Sequence, residues 1–515
     1  MAHPIFGYDP LESMTSILTL REYARYEHKM LWDGSVEVLS PALFKYCSGS
    51  GNSPSIELTA DALQLFDTYY HLREILYYSY NFPASIEWSF RSKTSVNISF
   101  KDQSIPLQLW HDHNQWTVRS HFALKEVDSD ATYKLVKELE DQFKLSNKWE
   151  RAFDRCMLEA KAKVNAYYSF LPDNLVFTNY SISDFKTIYQ ILTARALLAR
   201  YFAAKHWRSS SSRVSSSITL KVKEFENALR SDTGIPMAKI RAILRDLTYD
   251  RRKAEMGFHV DMFPLLYDER QECYWLFPHM FALSNCFRSL RRLWAKEDPS
   301  RYGKIVSMAV DRAFSDRLER SFIDSGFKNT RSRVKVSDYA PGLPDIDLLV
   351  VSIEPGDMYA IQICELKNPV PEDSAKEFVA SAGKKGHITK AKEQVKRLQT
   401  LDPLKFRELM MRTFPALKFG QGVYALSYLV VTSENLGMLA PGERTTVVDY
   451  ETVESVLRVA KGDVLGLLKL LDKKEWEKEA RQRFKVVYLS RVVGETKVKL
   501  PTVAIKGLLS FEKWI

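Results

Sequence analysis

The stretch Pro344-Asp345-Ile346-Asp347-Leu348-Leu349-Val350-Val351, followed by Tyr359-Ala360-Ile361-Gln362-Ile363-Cys364-Glu365-Leu366-Lys367, decides how the rest of the chain is read. Two β-rich apolar runs flank Glu354-Pro355-Gly356-Asp357, whose Pro and Gly suit the second and third positions of a type II turn. The whole reads as a hairpin with acidic residues at its far end. Asp347 lies eight residues before Pro355 and Glu365 ten after it, so a chain folded near 355–356 brings the two carboxylates almost opposite each other. Glu365 and Lys367, two apart, share a face of the second strand. Carboxylates so placed repel unless a cation stands between them, and a hard divalent ion held by one or two carboxylates plus water is the usual answer. Cys364, by the same alternation, points to the opposite, packed face and reads as core rather than as a catalytic thiol.

An Asp, an apolar strand, a turn, a second apolar strand and then Glu-x-Lys together resemble the signature of the PD-(D/E)xK nuclease superfamily, with its restriction-endonuclease-like fold. In this resemblance Asp347 stands at the lone Asp, Glu365 and Lys367 fill the Glu-x-Lys, and Asp345 is either the Asp of the name or an accessory ligand. The resemblance covers roughly residues 307–457 and leaves some 300 residues unexplained. The strand, strand, helix order over 423–459 is similar to that of Mrr-type restriction nucleases. The resemblance implies that a helix over 307–325 supplies an acid to the metal site; Asp316 and Glu319 lie on it, and Glu319 is the choice. It further implies that Gln394, on the helix after the Glu-x-Lys strand, reaches the site. Asp347, Glu365 and the carbonyl of Leu366 would then hold Mg²⁺ or Mn²⁺, with Lys367 orienting the attacking water or steadying the transition state. The implied activity is that of a metal-dependent DNA endonuclease, placed by family analogy in prokaryotic restriction or anti-phage defence. A protein partner carrying a recognition or ATPase function fits that context, since neither a Walker motif nor Gly-x-Gly-x-x-Gly occurs here. Two other classes stay open: a nucleic-acid-binding or scaffold protein that keeps only the fold, and a nuclease directed at RNA or at DNA repair.

The charge balance agrees with a polyanionic partner. The 515 residues carry 74 basic and 64 acidic side chains, a net charge of +10 and a pI near 9.0. Two places collect the cations. Arg331, Arg333 and Lys335 alternate along an expected edge strand, so that they share one face suited to phosphates. Arg288, Arg291 and Arg292 gather on one side of an expected helix by their spacing of three and four, a second phosphate-contacting patch.

Composition excludes other classes. Apolar residues make up 45% of the chain and charged ones 27%, which describes an ordinary folded protein rather than a disordered one. The five cysteines are scattered without a Cys-x-x-Cys pair and read as reduced thiols of a cytoplasmic protein. The first residues lack a signal-peptide pattern, and nowhere do eighteen apolar residues run together, so neither secretion nor membrane spanning is expected.

The expected fold class is multidomain α/β. A mixed, β-rich N-terminal domain (1–127) precedes a mainly helical region (128–300), the nuclease-like domain with a mixed sheet flanked by helices (301–460), and a basic extension packed on it (461–515). In the first part, residues 11–31 and 58–80 show helical spacing, the latter with an aromatic series including Tyr69, Tyr78 and Tyr80 that reads as core. Period-two runs over 85–127 predict an antiparallel sheet with His111-Asp112-His113 at a hairpin tip, solvated rather than metal-binding. Helical spacing resumes over 131–170 and 183–206, a serine-rich break follows at 209–217, and helices return over 220–231, 236–247 and 275–295.

Overall fold

A computed structural model describes residues 3–27, 33–113, 129–139, 147–167, 170–209, 217–356, 358–372, 374–383, 386–419, 424–433, 446–472, 482 and 484–505. Strands β1 (Ile86–Ser92) and β2 (Ser95–Phe100) come first. The middle of the chain contributes β3 (Ile218–Lys221), β4 (Thr248–Tyr249), β5 (Leu265–Asp268) and β6 (Cys273–Leu276). Then follow β7 (Asn329–Val334), β8 (Ile346–Glu354), β9 (Met358–Lys367), β10 (Tyr424–Thr432), β11 (Thr446–Asp449), β12 (Phe484–Val493) and β13 (Thr496–Ile505). With helices between them, they make a mixed α/β protein with three sheets.

The chain divides into two compact units, but not at the boundaries the sequence suggests. Of the described residues, one takes those within 1–75 and 113–302, the other those within 76–112 and 303–505. In the first, the helices Pro10–Glu27, Asp33–Tyr46 and Ile56–Asn81 begin around a core that includes Met14, Leu18, Leu39, Leu63, Phe258 and Phe263. Arg21 ties this helical layer to Asp261 through two parallel hydrogen bonds of 2.5 and 2.8 Å, the fork-to-fork pairing that suits a guanidinium and a carboxylate. Helices Ser129–Lys137, Asn147–Ala166 and Ile182–Ser209 follow the expected helical region. That region is not purely helical, however: β3–β6 form a four-stranded sheet in the order β3-β6-β5-β4. Trp275, read as opening a helix, lies in β6. Tyr78 is buried as the aromatic series predicts, whereas Tyr69 and Tyr80 are exposed at 54% and 87%.

In the second unit the β1–β2 hairpin appears where expected, yet the next element is the helix Ser104–His113, and it carries His111 and His113. The hairpin-tip reading of those histidines is therefore corrected, while residues 115–118 lie outside the described residues. The partners of β1 and β2 come instead from the C-terminus, giving the sheet β1-β2-β13-β12.

The five-stranded sheet, ordered β11-β10-β9-β8-β7, is the frame for the candidate site. β7, β8 and β9 are antiparallel neighbours, and β9, β10 and β11 run parallel. β8 and β9 are buried along almost their whole length because helices cover both of their faces, which explains apolar runs where a one-sided strand would alternate. On one face Leu349, Val351, Ile361 and Ile363 pack on Leu398, Phe406, Leu409 and Met410 of the helices His387–Leu398 and Pro403–Thr413. Each such aliphatic side chain contributes roughly 1.5–3 kcal/mol by leaving water. The helices Met308–Asp324 and Val464–Asp472 cover the other face, where Ser332 bonds Glu319 and Ser352 accepts from the Val464 amide. The helices Ala375–Ala382, His387–Leu398 and Pro403–Thr413 supply the long connection that a parallel β9–β10 pair requires.

Candidate functional site

The β8–β9 hairpin turns as its residues dictate. Gly356 has φ +80°, the value the third position of a type II turn demands and one that a side chain resists. Glu354 pairs with Met358 across the turn, and the register then runs through Val351↔Ile361 to Leu348↔Cys364. One residue further on, that register sets Asp347 opposite Glu365. The Leu366 amide donates to Asp347 Oδ2 at 2.8 Å, and Lys367 Nζ donates to Glu365 Oε1 at 2.6 Å. Asp347, Glu365 and Lys367 are thus brought together at the end of the central strands.

Burial makes this carboxylate pair unusual. Glu365 is 2% exposed, and loss of water together with the charge of Asp347 pushes its pKa up to about 7, against the opposing pull of Lys367. Asp347 is likewise raised, first by burial and then by the charges of Asp311 and Asp345, despite the Leu366 amide and Lys367. Two acids that each resist ionisation, facing one ammonium, form a site that prefers more positive charge than the chain itself supplies. Cys364, fully buried beside them, has its thiol pushed up by desolvation and belongs to the packed face as expected.

The other sequence candidates fall into different places. Both oxygens of Asp345 are taken: Oδ2 accepts from Lys335 Nζ at 2.6 Å and Oδ1 from the Val336 amide at 3.0 Å. Burial alone would raise its pKa, but these bonds lower it. Asp345 therefore anchors the turn before β8 rather than standing free as an accessory ligand. Glu319 is likewise committed, accepting from the Ser332 amide at 3.0 Å and the Ser332 hydroxyl at 2.7 Å. It fastens its helix to β7. Asp316 pairs with Arg333. Gln394 sits half-exposed on the helix His387–Leu398, between Ala391 and Val395, which pack on Val430. No contact joins Gln394 to the carboxylates among the described residues.

The cationic patches are also redrawn. β7 is the expected edge strand, but Arg333 has φ +55°, so the alternation breaks there, and both Arg333 and Lys335 already pair with acids. Arg331 alone of the three is exposed without an acidic partner among the described residues. Arg288, Arg291 and Arg292 do share the helix Cys286–Glu297, but they are buried at 6, 3 and 7% exposure and engaged within the fold. Arg291, for one, reaches the Tyr302 hydroxyl at 3.4 Å. A buried helix cannot present a phosphate-contacting surface, and that reading is withdrawn.

Two residues that the sequence reading passed over lie near the pair. Asp311 is on the helix Met308–Asp324 and is close enough for its charge to raise Asp347. Helical spacing carries only part of the signal: Asp311 stands seven residues, two turns, before the buried Leu318 but is itself exposed, whereas Glu319 is half-buried against β7. His387, first residue of its helix, has its pKa lowered by desolvation and then by the charges of Lys390 and Lys367.

Among the described residues no three His, Cys, Asp or Glu side chains converge as a ready-made cation cage. The oxygen donors that do converge are the carboxylates of Asp347 and Glu365. This is hard-oxygen chemistry of the kind Mg²⁺ and Mn²⁺ accept while keeping several waters. Among the described residues no helix is long and apolar enough to cross a membrane. No family model, no curated protein and no solved structure matches the chain.

Proposed function

We propose that this chain is a metal-dependent nuclease of the PD-(D/E)xK type, with a restriction-endonuclease-like five-stranded sheet, that hydrolyses phosphodiester bonds in DNA. The observation that carries the reading is the pairing of Asp347 with Glu365 at one end of an antiparallel hairpin, with Lys367 bonded to Glu365 at 2.6 Å. In this reading Asp347 and Glu365 hold Mg²⁺ or Mn²⁺, and Asp311 adds negative charge to the site. The ion lowers the pKa of a bound water and offsets charge on the scissile phosphate. With Glu365 holding the ion, Lys367, now bonded to Glu365, would be free to orient the attacking water or to offset charge on the phosphate. The role in restriction or anti-phage defence, and a partner supplying recognition or ATP hydrolysis, belong to the same proposal by family analogy.

The test is metal-dependent cleavage of duplex DNA by the parent and by Asp347→Ala, Glu365→Ala and Lys367→Ala. Each variant should cut roughly a hundredfold more slowly or worse, since one preorganised electrostatic contact to a transition state is worth about 3–4 kcal/mol. An Asp347→Ala protein that cuts as fast as the parent, in a preparation free of contaminating nuclease, would remove the assignment. It would leave a nucleic-acid-binding protein as the better account.

A further inference from the structure

Residues 484–505 give the protein a second surface unconnected with the carboxylate hairpin. Their two strands complete the sheet β1-β2-β13-β12, in the same compact unit as the candidate site. β13 runs parallel to β2, and the Lys497 amide donates to the Thr94 carbonyl at 2.8 Å, so both hairpin tips stand at one end of this sheet. One face at that end is closed, with Ile98, Val498 and Leu500 buried. The opposite face is open.

Register places the side chains of that open face in rows across the strands. Ser89 pairs with Asn97, Asn97 with Lys499, and Lys499 with Ser490. In the next row Ser95 pairs with Lys497, and Lys497 with Val492. Lys497, Lys499, Ser490 and Ser89 are exposed, and Asn97 Oδ1 has no hydrogen-bond partner. Tyr488 continues this face at 50% exposure. Neither row contains an acid; the nearest are Glu495, exposed in the turn two residues before Lys497, and Glu87, two residues before Ser89. Lys497 and Lys499 therefore project side by side, roughly 6.6 Å apart by the rise of a strand, from a shallow floor of hydroxyl and amide groups.

We propose that this sheet face binds the phosphate backbone of DNA, holding the duplex whose bond the carboxylate site cuts; the substrate identity rests on the nuclease reading above. The chemistry of the rows decides the occupant. Two ammonium groups without an acidic partner among the described residues, set among Ser89, Asn97 and Ser490 beside the exposed Val492, match consecutive phosphates, and backbone contacts of this kind position a duplex without reading its sequence. An apolar partner would instead find lysines at the centre of its contact.

The experiment is DNA binding by the full chain, measured by fluorescence anisotropy on a random-sequence duplex in EDTA, across a series of salt concentrations. Because phosphate contacts release counterions, Lys497→Ala/Lys499→Ala should lower the slope of log K against log salt by about two and weaken binding on the order of tenfold to a hundredfold near 0.1 M salt. Ser490→Glu, which sets a carboxylate beside Lys499, should weaken binding in the same direction. Both substitutions are at exposed strand positions, and unchanged thermal unfolding checks that the sheet is intact. Affinity and slope equal to the parent's in both variants would overturn the proposal, as would a parent that does not bind DNA. Cleavage on the same preparations separates the two readings. A parent that binds through these lysines but cuts nothing with Mg²⁺ or Mn²⁺ loses the nuclease reading and keeps the DNA face. A parent that cuts, with double-variant binding unchanged, does the reverse.

Discussion

Replacing Glu365 with Gln should stabilise the metal-free hairpin at alkaline pH, and by an amount the geometry sets. The carboxylate is 2% exposed, faces Asp347 and has a folded pKa of about 7 against an ordinary value of 4.5. Its folded pKa is raised, so between those values the folded state holds a proton that the unfolded chain has released, and stability falls as pH rises. The difference of about 2.5 units, at about 1.4 kcal/mol each, amounts to roughly 3 kcal/mol lost by pH 8 and little lost below pH 4. Glutamine keeps the shape and cannot ionise. Glu365→Gln should therefore differ little from the parent at pH 5 and protect the hairpin by about 2–3 kcal/mol more at pH 8. Because the chain has two units, a single global melt is a poor measure. Hydrogen exchange of the β8 and β9 amides in EDTA reads the hairpin itself. Adding Mg²⁺ or Mn²⁺ should restore protection in the parent, by about 2.7 kcal/mol at a hundred times the dissociation constant, and do nothing for the variant. An effect of Glu365→Gln that is the same at pH 5 and pH 8 would show that the carboxylate is not the burdened group inferred here.

Three further outcomes follow from contacts around the pair. Asp311→Asn should weaken metal-dependent cleavage while leaving stability nearly unchanged, whereas Glu319→Gln should cost about 1–2 kcal/mol by loosening its bonds to Ser332 and leave the metal dependence alone; metal titration of activity beside thermal unfolding distinguishes them. Asp345→Ala removes the acceptor for Lys335 and the Val336 amide and should destabilise by roughly 1–3 kcal/mol, and, because the charge of Asp345 acts on Asp347 less than that of Asp311 does, it should shift the metal concentration for half-maximal activity less than Asp311→Asn. Gly386→Ala should destabilise by at least about 2 kcal/mol, because the added methyl would lie 1.9 Å from the Ser381 carbonyl oxygen, and backbone cannot step aside as a flexible side chain would; urea unfolding reads the loss.

What was legible from the residues was whatever is settled locally. The β8–β9 hairpin has two strands of nine and ten residues, a Pro-Gly turn and acids at the far end, and every one of these signals agrees. Strands β3 to β6 have two to four residues each, too few for a period to appear, and their apolar residues fit a helix as readily. The sheet begun by β1 and β2 failed for another reason. Its remaining strands lie almost four hundred residues further along, and local spacing carries no information on such a pairing, so the period-two pattern extends the sheet over Ser104–His113, which is a helix.

The same division runs through the site. Asp347, Glu365 and Lys367 were identifiable because strand register and turn position fix all three from one short stretch. Glu319 is committed to Ser332 because an acid on a helix goes to whichever donors packing brings nearest, and spacing does not report packing. Ser332, presenting an amide and a hydroxyl on the edge strand β7, engages both oxygens of Glu319, while the charge of Asp311, about two turns earlier, raises Asp347. The arginines of Cys286–Glu297 fail in the same way: spacing correctly gathers them, but whether the gathered face meets water or core depends on a surrounding layer that no local pattern reports. In the metal-free hairpin Lys367 is a partial answer to a buried and a half-buried carboxylate, since both acids remain raised beside it. A fold that needed only stability would be better served by an amide at 365. Keeping two acids there, against a cost that rises with pH, makes sense where a divalent cation is the missing partner.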